Sequence, residues 1–254
     1  MGLLAALEFL TRLRVRPTPP GDMRRVAAAQ GWFPAVGFIL GALLLGIDRL
    51  ASRALPEPSV DVLLVVALAA LTGGLHLDGL GDAADGMLGG RDREQRLAIM
   101  RDVHAGTYAV IAIVGVLALK WAGLAAMPRA VRFEALLLVP CLARMAMVIG
   151  AAAFPYARNE GVGAALHDAA LPVPVIVAGT TAVAAAVVLL GAGGPIAAAF
   201  AVCCALAVGA YARQSIGGMT GDVYGATAEI AEAALFLLIA ALAARGWVEP
   251  LLLR

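Results

Sequence analysis

The sequence predicts an all-α fold: a polytopic helical bundle that crosses a membrane about seven times, led by an amphipathic helix. Three observations carry this. Hydrophobic residues make up 62% of the 254 residues and charged residues only 15%, against roughly 45–50% and about 25% in soluble domains. The apolar residues gather in runs of about 20, the length that crosses a hydrocarbon core. No run alternates with period two, so helices rather than a barrel satisfy the backbone within lipid. This composition excludes a disordered chain and an ordinary soluble enzyme. The net charge of +1 gives no field for a nucleic-acid partner.

At the N-terminus, MGLLAALEFLTRLRVRP is interrupted by Glu8, and its arginines follow the apolar stretch. That order does not suit a secretory signal; it suits a helix lying at the membrane surface. Seven spans are predicted near 33–55, 60–77, 108–127, 135–154, 173–190, 196–213 and 226–244. The second and fifth are the shortest. Abundant Ala and Gly suit close packing of helices in lipid. Nothing divides the chain, so residues 1–254 form a single integral membrane domain. Cys141, Cys203 and Cys204 sit in apolar runs without metal-ligand spacing and are expected to be small apolar filler. With seven spans, eleven Lys and Arg fall on the side of the N-terminus and seven on the other, with Arg144 inside a span. The positive-inside rule then makes the N-terminal side cytoplasmic. It places the loops at 78–107, 155–172 and 214–225 there as well.

Those loops hold the chemistry. LTGGLHLDGLGDAADGMLGGRDREQRLAIMRDVHAGTYAV, from Leu71, carries Asp78, Asp82 and Asp85. On a helix these fall at about 0°, 40° and −20°, on one face. Three carboxylates beside lipid repel one another and lose hydration, so such a cluster points to a neutralising cation. Hard oxygen ligands select Mg²⁺, Mn²⁺ or Ca²⁺. The many glycines let a backbone or phosphate come close and weaken the helix, so a break is expected within the stretch. A second acidic set, Asp222, Glu229 and Glu232, shares one face of the last span. Intramembrane carboxylates are functional candidates, and Arg213 is a candidate partner for Glu232. Arg91, Arg93, Arg96, Arg101, Arg144 and Arg158 complete the pattern. Arginines facing a metal-bound acidic cluster are what a pyrophosphate substrate requires. The sequence thus points to a metal-dependent phosphotransferase. An intramembrane protease, from Gly79-Leu80-Gly81-Asp82, and a cation-coupled transporter are alternatives. The protease needs two lone aspartates, and the transporter needs acids at mid-membrane.

Gly73-Gly74-Leu75-His76-Leu77-Asp78-Gly79-Leu80-Gly81-Asp82-Ala83-Ala84-Asp85-Gly86, continued by Gly89-Gly90-Arg91-Asp92-Arg93, resembles the signature of the cobalamin synthases. The resemblance extends to Phe9-Leu10-Thr11-Arg12, Phe33-Pro34 with Gly37, and Met100-Arg101-Asp102 through Gly106-Thr107. It returns at Pro155-Tyr156-Ala157-Arg158 with Gly161, and from Gly217-Gly218 through Thr220-Gly221-Asp222 to Gly225-Ala226. Val15-Arg16-Pro17 departs from the pattern by taking a longer route to proline.

The resemblance implies a Mg²⁺-dependent transferase of the bacterial inner membrane with its active site facing the cytoplasm. Such enzymes join adenosylcobinamide-GDP to α-ribazole, or to α-ribazole 5′-phosphate, and release GMP. On this reading Asp78, Asp82 and Asp85 hold the metal, and Asp82, Asp222 and Glu229 serve catalysis. Arg91, Arg96, Arg101, Arg144 and Arg158 bind phosphate. The partners are the two substrates and the lipid bilayer, and there is room for a homo-oligomer. A CDP-alcohol-type phosphotransferase is the runner-up function, as an analogy of chemistry, although Asp78-Gly79 lacks the Ala-Arg of that motif.

Overall fold

A computed structural model describes residues 2–13, 28–158 and 172–248. Gly161 and the arginines at 14, 16, 24 and 25 lie outside the described residues. Among the described residues the chain forms ten α-helices and no strand. They are α1 (Gly2–Leu10), α2 (Phe33–Ala51), α3 (Glu57–Thr72), α4 (Leu75–Gly89) and α5 (Arg93–Ile99). The series continues with α6 (Thr107–Ala125), α7 (Arg129–Ala153), α8 (Pro172–Leu190), α9 (Gly193–Ile216) and α10 (Gly221–Ala244).

Six helices are long and apolar enough to cross a membrane: α2 with the 3₁₀ turn before it, α6, α7, α8, α9 and α10. The seventh expected span is not straight. α3 and α4 meet at an angle of 89°, so the run at 60–77 is a broken span or a re-entrant pair. The cause is local. Gly73 and Gly74 have φ of 67° and 73°, a left-handed conformation that a Cβ disfavours. Gly73 N–H donates to Ala70 O and Gly74 N–H to Ala69 O, the Schellman closure of a helix. Leu71 O, left over by the closure, accepts from Arg12 N–H at 2.8 Å, which ties the end of α1 to the break. The expected loosening by glycine therefore falls ahead of the aspartates, and α4 runs unbroken through all three.

The core surrounds α7 and α10, the two most enclosed spans. α7 packs most extensively on α2, and small residues make that contact. A Cβ on Gly37 would collide with Pro140 O, and one on Gly41 would lie 2.5 Å from Leu136 O. Pro140 has no N–H to give Leu136 O, four residues earlier, so Gly41 seats against a carbonyl that the helix itself leaves unpaired. Val62, Val66, Val110, Ile111, Val114, Val173 and Ile176 stay exposed on α3, α6 and α8, an apolar exterior suited to lipid. At the end of the bundle away from α4, Arg132 pairs with Asp48 at 2.9 Å and with Asp61 at 2.6 Å, all buried.

Gly41→Leu should strain the α2–α7 contact by about 1–3 kcal/mol and lower the thermal unfolding midpoint in detergent. Gly46, with open space around its Cα, is the control: Gly46→Leu should leave the midpoint close to wild type. Equal effects at the two positions would refute the packing account.

Candidate active site

The acidic residues of α4 and α10 meet because glycines let the helices touch. A Cβ on Gly79 would lie 2.8 Å from Asp222 O, and one on Gly225 would lie 3.1 Å from His76 Cα and O. Small residues at a crossing bring backbones close, and here they bring the first turn of α10 beside the first turns of α4. Asp82 lies within electrostatic reach of Asp78, Asp222, Arg158 and Asp85. Asp78 is exposed, Asp82 and Asp222 are half-buried and Asp85 is buried. The predicted common face of the three α4 aspartates is thus realised, with Asp222 added from α10.

Asp85 also has a local task. Its Oδ2 accepts from Gly106 N–H at 2.6 Å and its Oδ1 from Ala109 N–H at 2.9 Å. The carboxylate caps the open start of α6, where unpaired amides and the helix dipole favour a negative charge. Gly106 is required by the contact, since a Cβ there would lie 2.7 Å from Asp85 Oδ1.

Arg158 reaches Asp222 because two loops are stitched together. Tyr156 and Met219 form a parallel bridge. Ala157 N–H donates to Met219 O, and Met219 N–H to Pro155 O, both at 2.8 Å. The loop after α7 is thereby fixed to the turn before α10, and Arg158 Nη2 comes 3.0 Å from Asp222 Oδ2. Its Nε is buried without a hydrogen-bond partner, leaving a donor for a further anion. Thr220 caps α10 through Val223 N–H and also donates to Asp222 Oδ2 at 3.3 Å.

The other arginines separate into groups that spacing alone did not distinguish. Arg91 and Arg101 are exposed. Arg96 donates to Gly90 O at 2.9 Å and Ser215 O at 3.0 Å, and Arg93 to Ile216 O at 2.9 Å and Ala157 O at 2.8 Å. These carbonyls include the unpaired end of α9, so both side chains bolt α5 to that helix terminus. Arg96, expected on phosphate, is occupied there. Asp92 accepts from Gln95 N–H and caps α5. His104 lies on the surface with its Nδ1 2.6 Å from Asp102 Oδ1, and this hydrogen bond holds the Asp102 carboxyl below its usual range.

Arg144 and Glu229 belong to a different structure, below the aspartates. Arg144 is 0% exposed and pairs with Glu232, while its Nη2 lies 3.3 Å from His76 Nδ1. Lys120 bridges Glu229, at 2.6 Å, and Glu232. The network carries two positive and two negative side chains and joins α4, α6, α7 and α10. Lys120, within the span expected at 108–127, is 3% exposed inside the bundle. Arg213, the expected partner of Glu232, is exposed. The reason is geometric: Lys120 and Arg144 face α10 from neighbouring spans, an arrangement that linear spacing does not carry. Glu229 stands two turns, about 10 Å, deeper than Asp222 on α10. It is held in this network by Lys120.

A divalent cation suits the donor set of Asp78, Asp82 and Asp222, which is all hard carboxylate oxygen. Asp85 could add a lone pair beyond those its amide partners use. Among the described residues no three acidic, His or Cys groups already converge at ligand spacing. Binding would therefore require rotation of the exposed Asp78 and half-buried Asp82 side chains.

The fold and site together define a multi-pass membrane protein with an acidic, arginine-flanked centre at one end of its bundle. Residues 2–240 match the model of the cobalamin-5-phosphate synthase (CobS) family. Adenosylcobinamide-GDP ribazoletransferase of Chlorobaculum tepidum is 39% identical over 246 residues, covering 94% of each chain. The Roseiflexus sp. protein of that name is 38% identical over 227 residues, covering 89% of this chain and 84% of its own. That of Pseudomonas paraeruginosa is 40% identical over 249 residues, covering 94% and 97%. No solved structure matches. The chain belongs to the cobalamin-5-phosphate synthase family, and the protease, transporter and CDP-alcohol alternatives lose their ground.

Lys120→Met should destabilise the bundle by about 3–5 kcal/mol, because it leaves buried Glu229 unpaired and Glu232 with Arg144 alone. Adding Glu229→Gln to that variant should recover part of the loss, since it removes the orphaned charge. Unfolding in detergent measures both. A double variant no more stable than the single one would show that Glu229 does not depend on Lys120.

Proposed function

We propose that this protein transfers the adenosylcobinamide-phosphate group of adenosylcobinamide-GDP to α-ribazole or α-ribazole 5′-phosphate and releases GMP. The observation that supports this best is the meeting of Asp78, Asp82 and Asp222 beside Arg158 at one end of a membrane bundle. The names of the related proteins state the same activity.

In the reaction, the acceptor hydroxyl oxygen forms a bond to the phosphorus on the cobinamide side. The bond from that phosphorus to the oxygen of GMP breaks, and the hydroxyl proton passes to a carboxylate. Asp82 or Asp222 is placed to receive it; Glu229 is committed to Lys120. Arg158, with its unpartnered Nε, suits the pyrophosphate, since guanidinium groups bind phosphate oxygens with charge-assisted hydrogen bonds. Mg²⁺ held by Asp78 and Asp82, with Asp85 or Asp222, would supply neutralisation of pyrophosphate charge. Arg91 and Arg101, both exposed, are available to the guanosine-side phosphate of the donor. The excess of Lys and Arg beside the N-terminus supports a site facing the cytoplasm from the bacterial inner membrane.

Purified protein in detergent, given adenosylcobinamide-GDP and α-ribazole, should release GMP only when acceptor and Mg²⁺ are both present. Asp82→Asn should lower the rate by at least about a hundredfold, the scale of removing a group that acts on transition-state charge. Its thermal midpoint should stay close to wild type. GMP release without acceptor, or near-normal turnover by Asp82→Asn, would overturn the assignment.

A further inference from the structure

A cleft of about 710 Å³ opens between α1 and the α3–α4 break. Its lining includes Phe9, Arg12, Gly73, Gly74, Asp78 and Ile113, and Glu8, itself engaged within the chain, also faces it. The volume lies within the roughly 300–1,000 Å³ typical of small-molecule sites. One residue connects it to the site above: Asp78 is shared by the cleft and the acidic cluster. Arg158 and Asp222 lie outside the cleft.

Arg12 is the distinctive side chain here. Its backbone is fixed by the hydrogen bond to Leu71 O. Its guanidinium arm lies over Gly73, so closely that a Cβ there would collide with it. Arg12 is exposed, and among the described residues its guanidinium has no carboxylate or carbonyl partner. The cleft is therefore lined both by a positioned cation and by a carboxylate of the reaction centre. That pair suits a molecule with an anion at one end and a reacting hydroxyl at the other, such as a nucleoside 5′-phosphate attacking through its sugar.

Resting on the proposed function, we infer that this cleft is the acceptor subsite and that Arg12 binds the acceptor's 5′-phosphate. Transfer at phosphorus places the attacking and leaving oxygens roughly in line. The two substrates must then approach the aspartates from different sides. Arg158, beyond Asp222, serves the donor pyrophosphate, and Arg12, beside Asp78, serves the acceptor. The assignment also gives the Phe9-Leu10-Thr11-Arg12 segment a role: α1 forms one wall of the site as well as a surface helix.

The donor also carries phosphates, so the test separates the sources. GMP release is measured for wild type, Arg12→Ala and Arg12→Lys, varying α-ribazole 5′-phosphate, α-ribazole and adenosylcobinamide-GDP in turn. Arg12→Ala should raise KM for α-ribazole 5′-phosphate at least about tenfold, the scale of one charge-assisted phosphate contact. KM for α-ribazole and for the donor should stay within about twofold on the same scale, and Arg12→Lys should restore part of the loss. A rise in donor KM instead, or no change for either acceptor form, would overturn the assignment. Equilibrium dialysis of α-ribazole 5′-phosphate against the detergent-solubilised protein, without donor, reads the cleft independently of turnover. Ile113→Trp, which crowds the cleft from α6, should weaken that binding as Arg12→Ala does. Binding that depends on Arg12 in a protein that releases no GMP would keep the cleft and sink the activity. GMP release with binding insensitive to both variants would do the reverse.

Discussion

Two positive and two negative side chains, buried where water cannot solvate them, hold this bundle in register. Lys120, Arg144, Glu229 and Glu232 satisfy one another between α6, α7 and α10, and His76 brings in α4. An unpaired charge in such surroundings costs several kcal/mol. Sliding or rotating any one helix therefore separates charges that have no other partner. Apolar packing alone discriminates less sharply between such arrangements, since lipid tails are as apolar as Leu. The network acts as a lock on helix position, and the glycine contacts at Gly79 and Gly225 become possible at the spacing it sets.

The acidic centre sits directly above that lock. α4 and α10 cross in contact, so Asp78 and Asp82 from one helix face Asp222 from the other. Such repulsion is tolerable because the rest of the scaffold is unusually well pinned. Asp85 caps α6, Arg93 and Arg96 bolt α5 to the end of α9, and the Tyr156–Met219 bridge carries Arg158 to Asp222. Each of these contacts satisfies a helix terminus or a loop backbone with a charged or polar group. These contacts tie the acidic end of the bundle together, while Asp78 and the flank toward α1 remain open.

A sharp turn at Gly73–Gly74 decides how that open side is shaped. The chain turns through 89° there with a Schellman closure, and Arg12 fills the space that a side chain on Gly73 would occupy. The same glycines that end α3 thus make room for α1 to lie across the break. The cleft, the first turn of α4 and the N-terminal helix are consequences of one backbone feature.

The sequence by itself determined the class of fold and the identity of the acidic motif. Apolar runs of span length are a one-dimensional signal, because crossing lipid depends on consecutive residues. The common face of Asp78, Asp82 and Asp85 follows equally from local helix periodicity, and the motif around them was specific enough to point to the family. Only the tertiary structure decided which charges are tied up within the bundle and which stay open at the acidic centre. Arg96 and Arg144, expected on phosphate, and Glu229, expected in catalysis, instead hold a helix end and a buried network. Lys120 falls in an expected span, but its pairing with Glu229 and Glu232 shows only in the packed bundle. Arg12, which spacing left unremarked, stands at a cleft. The physical reason is that a charge's role is set by its nearest partner. For Lys120 and Glu229 that partner is 109 residues away in the chain, a relation fixed by packing between helices and invisible to any local pattern.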